Sequence, residues 1–450
     1  MGIFDALTTA VAGLQAQSFA LQNISGDIAN SQTVGYKETD TSFQALVSQA
    51  ALGEQTAGGV FAGSVASNTV QGTIENESVP TDMAIDGDGW FVVAQGTGGA
   101  SGGQQQFSAV NYYTRRGDFQ LDSNGYLVNG AGYYLMGTPV NPGTGAPEST
   151  VPEVLQFNNN FLPAQATSQI DYQANLPSVP SSGIVNPADF SVNPLDAASG
   201  GTGTVVGNDA STFAQQSASG GSITVYDSEG NPVNVQLRWA ETASSGGNNT
   251  WQLFYQTDAS ATGTQVAWQN TGTSFTFNSS GQLTAPATPN LTLSNLTVNG
   301  DAVGNLALNF GVGGLTQYAS STGDVQVNSL TQNGFTAGQL QSLSVDTRGQ
   351  ITGSFSNGQT IALADITLAT FNGQNTLEPL DGEAYAATPE SGNPIYGATG
   401  TIVGSSLESS NVDISTQFSN LIVAQQAYSA NARVMSTADQ MIQSLLQVIQ

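Results

Sequence analysis

The chain has 450 residues and contains no cysteine and no histidine. Without cysteine it can form no disulfide, no thiolate nucleophile and no cysteine-ligated metal site. Without histidine it lacks the commonest general base and the commonest zinc ligand. Cations are nearly as scarce. Lys37, Arg115, Arg116, Arg238, Arg348 and Arg433 stand against 33 Asp and Glu, for a net charge of −27. Cations so few and so scattered cannot build a groove that tracks phosphates, which argues against nucleic acid as a partner. An anionic membrane surface is disfavoured for the same reason. No run approaches the about 18 apolar residues a membrane helix needs, so no membrane insertion is expected. The first cation is Lys37, and the residues before it are amphipathic, which is not the pattern of a cleaved secretory signal. The expectation is a cytoplasmic chain or one exported by a route that reads no such signal.

What is present is a surface of hydroxyls and amides. Only 9% of residues are charged, against about a quarter in an average globular protein. Glycine is abundant at 53. The length suits two or three domains.

Both ends carry heptads, and the middle does not. Leu7, Val11, Leu14, Ser18, Leu21, Ser25 and Ile28 step by four and three. So do Ile414, Phe418, Leu421, Gln425, Tyr428, Ala432, Met435, Asp439, Ile442, Leu446 and Ile449. This spacing predicts helices over 1–30 and 411–450, each with an apolar seam suited to coiled-coil packing. Ser410 with Asp413 reads as the capping pair of the second helix. Two such helices alone make a thin layer that leaves much apolar surface bare. The apolar seam residues are therefore candidate contacts between copies. The pattern points to assembly, and no residue is a candidate for catalysis, metal or cofactor binding.

Between the helices the pattern is β. Residues 31–75 read as an extended linker. Ala84–Val93 reads as two strands joined at Asp86-Gly87-Asp88-Gly89, and Ser123-Asn124-Gly125-Tyr126 as a hairpin turn. Much of the proline falls in 140–215, a loop-rich connector. Residues 223–310 alternate strands with turns such as Ser228-Glu229-Gly230-Asn231-Pro232, which indicates a sandwich or barrel. The expected fold is multidomain α+β: a terminal helical coiled-coil pair plus mainly-β inner and outer domains. The inner β domain is expected from 76–145 with 320–372, the outer one from 146–319, and a return linker from 373–410.

Four stretches carry a family resemblance. They are Asp27-Ile28-Ala29-Asn30-Ser31-Gln32-Thr33-Val34-Gly35-Tyr36-Lys37; Asp82-Met83-Ala84-Ile85-Asp86-Gly87-Asp88-Gly89-Trp90-Phe91; Tyr113-Thr114-Arg115-Arg116-Gly117-Asp118-Phe119; and Leu407 through Asp439 with Ala424-Gln425-Gln426-Ala427-Tyr428. Together they resemble the bacterial flagellar rod and hook axial protein family. Tyr226–Pro232 and Ser354–Thr360, with the overall length, resemble the hook branch more than the rod branch. Gln426 departs from the family where an Arg is common. The resemblance implies a homopolymeric tube outside the cell, at the flagellar hook and basal body, that bends while transmitting torque. It also implies contacts with distal rod, hook cap and hook–filament junction proteins, and export through the flagellar type III apparatus. The runner-up within the family is a distal rod protein. A secreted β-sandwich adhesin or carbohydrate-active enzyme would explain the middle but not the terminal heptads.

Sharper chemical readings are weaker than plain ones. Asp86-Gly87-Asp88-Gly89 resembles the start of a calcium loop, but Val93 and Ala94 stand where the later Glu ligand belongs. A turn is the better reading. Arg115-Arg116 could hold an anion, but in so acidic a chain structural ion pairs are favoured. No pair of carboxylates is singled out for glycoside hydrolysis.

Overall fold

The computed structural model describes residues 3–45, 59–98, 105–141, 145–157, 161–288, 290–397 and 400–449. Part of the expected 31–75 linker, at 46–58, lies outside the described residues. The protein is mostly β, with long helices at its ends: Ile3–Ala29 and Ile414–Ile449. Among the described residues no helix is long and apolar enough to cross a membrane. The chain divides into two compact units. The first is Met1–Asn159 with Gln341–Ser354 and Thr360–Gln450; the second is Asn160–Leu340 with Phe355–Gln359.

In the first unit, the strand Trp90–Gly96 lies between Phe107–Thr114 and Tyr133–Pro139, antiparallel to both. It is apolar on both faces because both are covered. Trp90, Val92 and Ala94 join Tyr113, Phe371 and Tyr385 in one cluster, while Phe91 turns the other way onto Phe119 at 5.8 Å. The chain bends at Gly87-Asp88 without a turn hydrogen bond, and the two strands it joins do not pair with each other. Met83–Asp86 instead pairs with the returning Thr401–Gly404, and Ile74–Asn76 pairs with Ser406–Glu408. The reason is competition: the returning chain satisfies the edge that a simple hairpin would have used. The turn at Ser123–Tyr126 does form a hairpin, joining Gln120–Leu121 to Leu127–Val128.

The helix start also differs from the sequence reading. The C-terminal helix begins at Ile414, and Asp413 is its cap, its Oδ1 accepting from Thr416 N at 2.9 Å. Ser410 accepts only from Val412 N, at 3.3 Å. A carboxylate at the cap meets both the free N–H groups and the positive end of the helix dipole.

The second unit is a sandwich. One sheet runs Val266–Phe277, Asn248–Gln256, Pro232–Ser245, Ala218–Tyr226 in order, with Thr204–Val206 at its edge. The other is built around Gln169–Pro177, which pairs parallel with Leu315–Tyr318 and antiparallel with Gln326–Gln332. Strand alternation sets the core: Val233, Val235, Leu237 and Trp239 face inward, while Asn234 and Gln236 face water. Tyr172 and Trp239 meet across the sheets. Trp239 Nε1 donates to Tyr172 Oη, which donates to the Gly220 carbonyl, each at 2.9 Å. Both polar tips are thereby satisfied inside an apolar core.

Candidate assembly interface

The terminal helices lie against each other in the first unit, but not along their large side chains. The buried residues of the first helix are Ala10, Gly13, Ala16, Ala20, Ile24 and Asp27. They recur every three or four positions, so they form one stripe, and most are small. Gly13 shows how close the approach is: a Cβ there would sit 2.7 Å from Asn431 Nδ2. On the second helix the matching stripe includes Gln417, Ala424 and Ala438, all buried.

The predicted seam falls beside this contact. Leu7, Val11, Leu14, Leu21 and Ile28 are half-buried, as are Leu421 and Ile442. Ile414, Phe418, Tyr428 and Met435 are exposed, Phe418 by 52%. Leu446 and Ile449 lie in the helix, but their side chains are outside the described residues. Further apolar side chains that the heptad reading passed over are also bare: Ile422, Val423, Val434 and Met441. The helices thus use small residues to meet each other and leave large ones uncovered.

An antiparallel hairpin, Thr39–Ala45 with Val60–Ala66, lies along the first helix. Asn23 Nδ2 fixes it by donating to Thr41 Oγ1 at 2.9 Å and Ser64 Oγ at 3.3 Å. Asp27 closes the base of the helix. Its Oδ1 accepts from Tyr36 Oη at 3.0 Å and Thr39 N at 3.1 Å. Burial raises the Asp27 carboxyl above its ordinary range, opposed by these hydrogen bonds.

Below the helices sits a buried charge cluster that ties both linkers to the β core. Glu408 Oε1 is 2.6 Å from Lys37 Nζ, and Oε2 is 3.3 Å from Arg115 Nη1. All three side chains are at most 3% exposed. Backbone groups complete the cluster. Lys37 also donates to the Val70 carbonyl and Arg115 to those of Ile85 and Gly87, while Gly72 N donates to Glu408. Burial lowers Lys37 and Arg115 from their ordinary values, and the Glu408 charge opposes it. Arg115 also stacks over Trp90, 5.5 Å from the ring centroid. Gly35 completes the site. Its φ is +71°, and a Cβ there would lie 2.7 Å from Arg116 N. Its own N–H donates to the Glu408 carbonyl at 2.8 Å. Arg116 pairs with both Asp118 oxygens and with Glu383, each at 2.9 Å. The adjacent arginines are therefore structural ion pairs. Sequence named the cations, but not Glu408 as their hub.

Three family models match. They are the flagellar hook protein FlgE/F/G D1 domain over residues 84–186, the flagellar basal body protein FlaE D2 domain over 194–335, and the flagellar basal body rod FlgEFG protein C-terminal region over 403–448. The chain is 30% identical to the flagellar hook protein FlgE of Escherichia coli K12 over 452 residues, covering 98% of this chain and 99% of that one. It is 29% identical to the flagellar hook protein FlgE of Brucella suis over 457 residues, covering 99% of each. A crystal structure of a Helicobacter pylori flagellar hook protein matches with a TM-score of 0.48 and 16% identity, over 74% of this chain and 100% of that one.

Proposed function

Because this chain belongs to the flagellar hook protein family, and is a structural subunit of the hook, we propose that its terminal helix pair is the contact through which copies polymerise. The subunit belongs to the hook and basal body and serves cell motility. The observation that carries the proposal is the bare apolar surface of the C-terminal helix: Ile414, Phe418, Ile422, Val423, Tyr428, Val434, Met435 and Met441. A helix so exposed in water needs a cover, and copies of the same helix pair supply one by coiled-coil packing. Leu7, Val11, Leu14, Leu21, Ile28, Leu421, Ile442, Leu446 and Ile449 complete the proposed seam.

The layered assignment belongs to the same proposal. Helices 1–30 and 411–450 form the innermost layer, and 31–75 and 373–410 link it outward. In this reading the inner β domain is 76–159 with 341–354 and 360–372, and the outer one is 160–340 with 355–359, because Gln326–Gln332 pairs with Gln169–Pro177. Polar outer domains with few ion pairs slide past each other as the tube bends, while the helices keep it continuous and carry torque from rod to filament. The partners are copies of itself, then distal rod, hook cap and junction proteins, with export through the flagellar type III apparatus. No catalysis is part of this reading. The test is electron microscopy of concentrated protein carrying Phe418→Asp and Tyr428→Asp. Tubes should form from the unsubstituted chain and not from the variant, whose β units keep their circular dichroism. Normal tubes from the variant would overturn the proposed contact.

A further inference from the structure

A groove of about 270 Å³ opens between the two terminal helices and the strand Thr39–Ala45. Asp27 and Asp40 lie in its wall among Ile24, Phe43, Asn420 and Val423. Its field is negative. Burial raises Glu38 above the ordinary carboxylate range, and the charges of Asp40, Asp27 and Asp413 add to this. The one neighbouring cation in sequence, Lys37, is turned inward onto Glu408. Among the described residues no cation pairs with Asp27, Glu38, Asp40 or Asp413.

The complementary feature is on the same helix pair. Lys37 and Arg115 share Glu408, Arg116 holds Asp118 and Glu383, and Arg348 pairs with Asp346. Arg238 donates to Ser217 and the Ala214 carbonyl and lies over Trp268. That leaves Arg433, which is exposed, and among the described residues its guanidinium has no partner. It follows Ala427, the last groove-lining residue of its helix, by six residues, hence about 9 Å along and about 120° around the helix from the groove wall, on a different face. One copy cannot bring its own Arg433 to its own groove.

We propose that this groove docks a second copy of the chain, which inserts Arg433 from the exposed face of its C-terminal helix beside Asp40. The inference rests on the helix pair being the polymer contact. Groove and guanidinium are different surfaces of one subunit, so the contact is head-to-tail and propagates into an open helical assembly instead of closing as a symmetric dimer. Apolar packing supplies cohesion, and the ion pair fixes which register of helix on helix is allowed.

Charge reversal tests it on the full-length chain. Arg433→Glu and Asp40→Arg should each slow seeded tube growth about tenfold, a loss near the low end of the coupling typical of close charge pairs at interfaces. The combined variant should recover most of the rate. Asp40→Arg replaces a negative charge by a positive one and brings the net charge of −27 to −25, so general repulsion alone would make it grow faster. The absence of native cysteine adds a direct probe. Copies carrying Arg433→Cys, mixed with size-tagged copies carrying Asp40→Cys, should give a disulfide-linked mixed dimer on oxidation within tubes. Unchanged growth of Arg433→Glu, a combined variant no faster than the slower single one, or no mixed dimer would overturn the docking while leaving tube formation intact. Failure of the unsubstituted chain to form tubes would instead sink the polymer reading and the docking with it.

Discussion

Charge is used sparingly in this protein, and single residues therefore matter unequally. Glu408 neutralises two cations inside the fold. Glu408→Gln keeps the shape but leaves Lys37 and Arg115 buried without a counter-charge, which should destabilise the first unit by about 3–5 kcal/mol. Arg348 is 79% exposed in its pair with Asp346, so Arg348→Ala should cost at most about 1 kcal/mol. Denaturant unfolding of both variants checks the contrast, and equal effects would contradict it. Glu241 gives a second test. It sits on the inward face of its strand, opposite Trp251, and burial pushes its carboxyl up to about 7 from 4.5. Between those values the folded chain holds a proton that the unfolded chain has released, so stability of the second unit falls as pH rises from about 4.5 to about 7. Glu241→Gln should flatten that slope and raise the melting temperature at pH 7. A steeper slope in the variant would refute the assignment.

Elements differ in how far sequence reveals them. The terminal helices were legible because their periodicity is local, and the sandwich because alternation and turn residues repeat along it. The contact between the helices was not. Ala10, Gly13, Ala16 and Ala20 carry little apolar surface, so a reading weighted to large side chains settles on the neighbouring stripe. The partner strands of Met83–Asp86 and the Glu408 cluster were hidden for another reason. Lys37 and Glu408 are 371 residues apart, and closure over such a distance is decided by tertiary packing, which no local pattern encodes. The helix cap lies between these cases, since both candidate residues were visible and only geometry chose between them. Asp413→Ala should cost about 1 kcal/mol at the helix start. Ser410→Ala should leave amide exchange at Gln417 nearly unchanged. Faster exchange in Ser410→Ala than in Asp413→Ala would reverse the assignment of the cap.

For the whole molecule, the balance is between apolar burial and like-charge repulsion. Each subunit carries −27, and five of its six cations are already engaged within the chain by an ion pair or hydrogen bonds. Stacking subunits therefore brings together carboxylates that have little to neutralise them. Exposed charges are screened over about 8 Å at physiological ionic strength but over about 30 Å at 0.01 M. At low salt the repulsion reaches across the gaps between neighbours, whereas any attraction at Arg433 stays confined to one groove. Burial of the terminal helices depends only weakly on dilute salt, so it does not compensate. Lowering salt from 150 mM to 10 mM should raise the critical concentration for tube growth from seeds, with no change in the circular dichroism of the β units. A lower critical concentration at 10 mM would mean that local ion pairs outweigh the net charge. The head-to-tail contact would then be the main source of cohesion, and the apolar helix faces would have the secondary role.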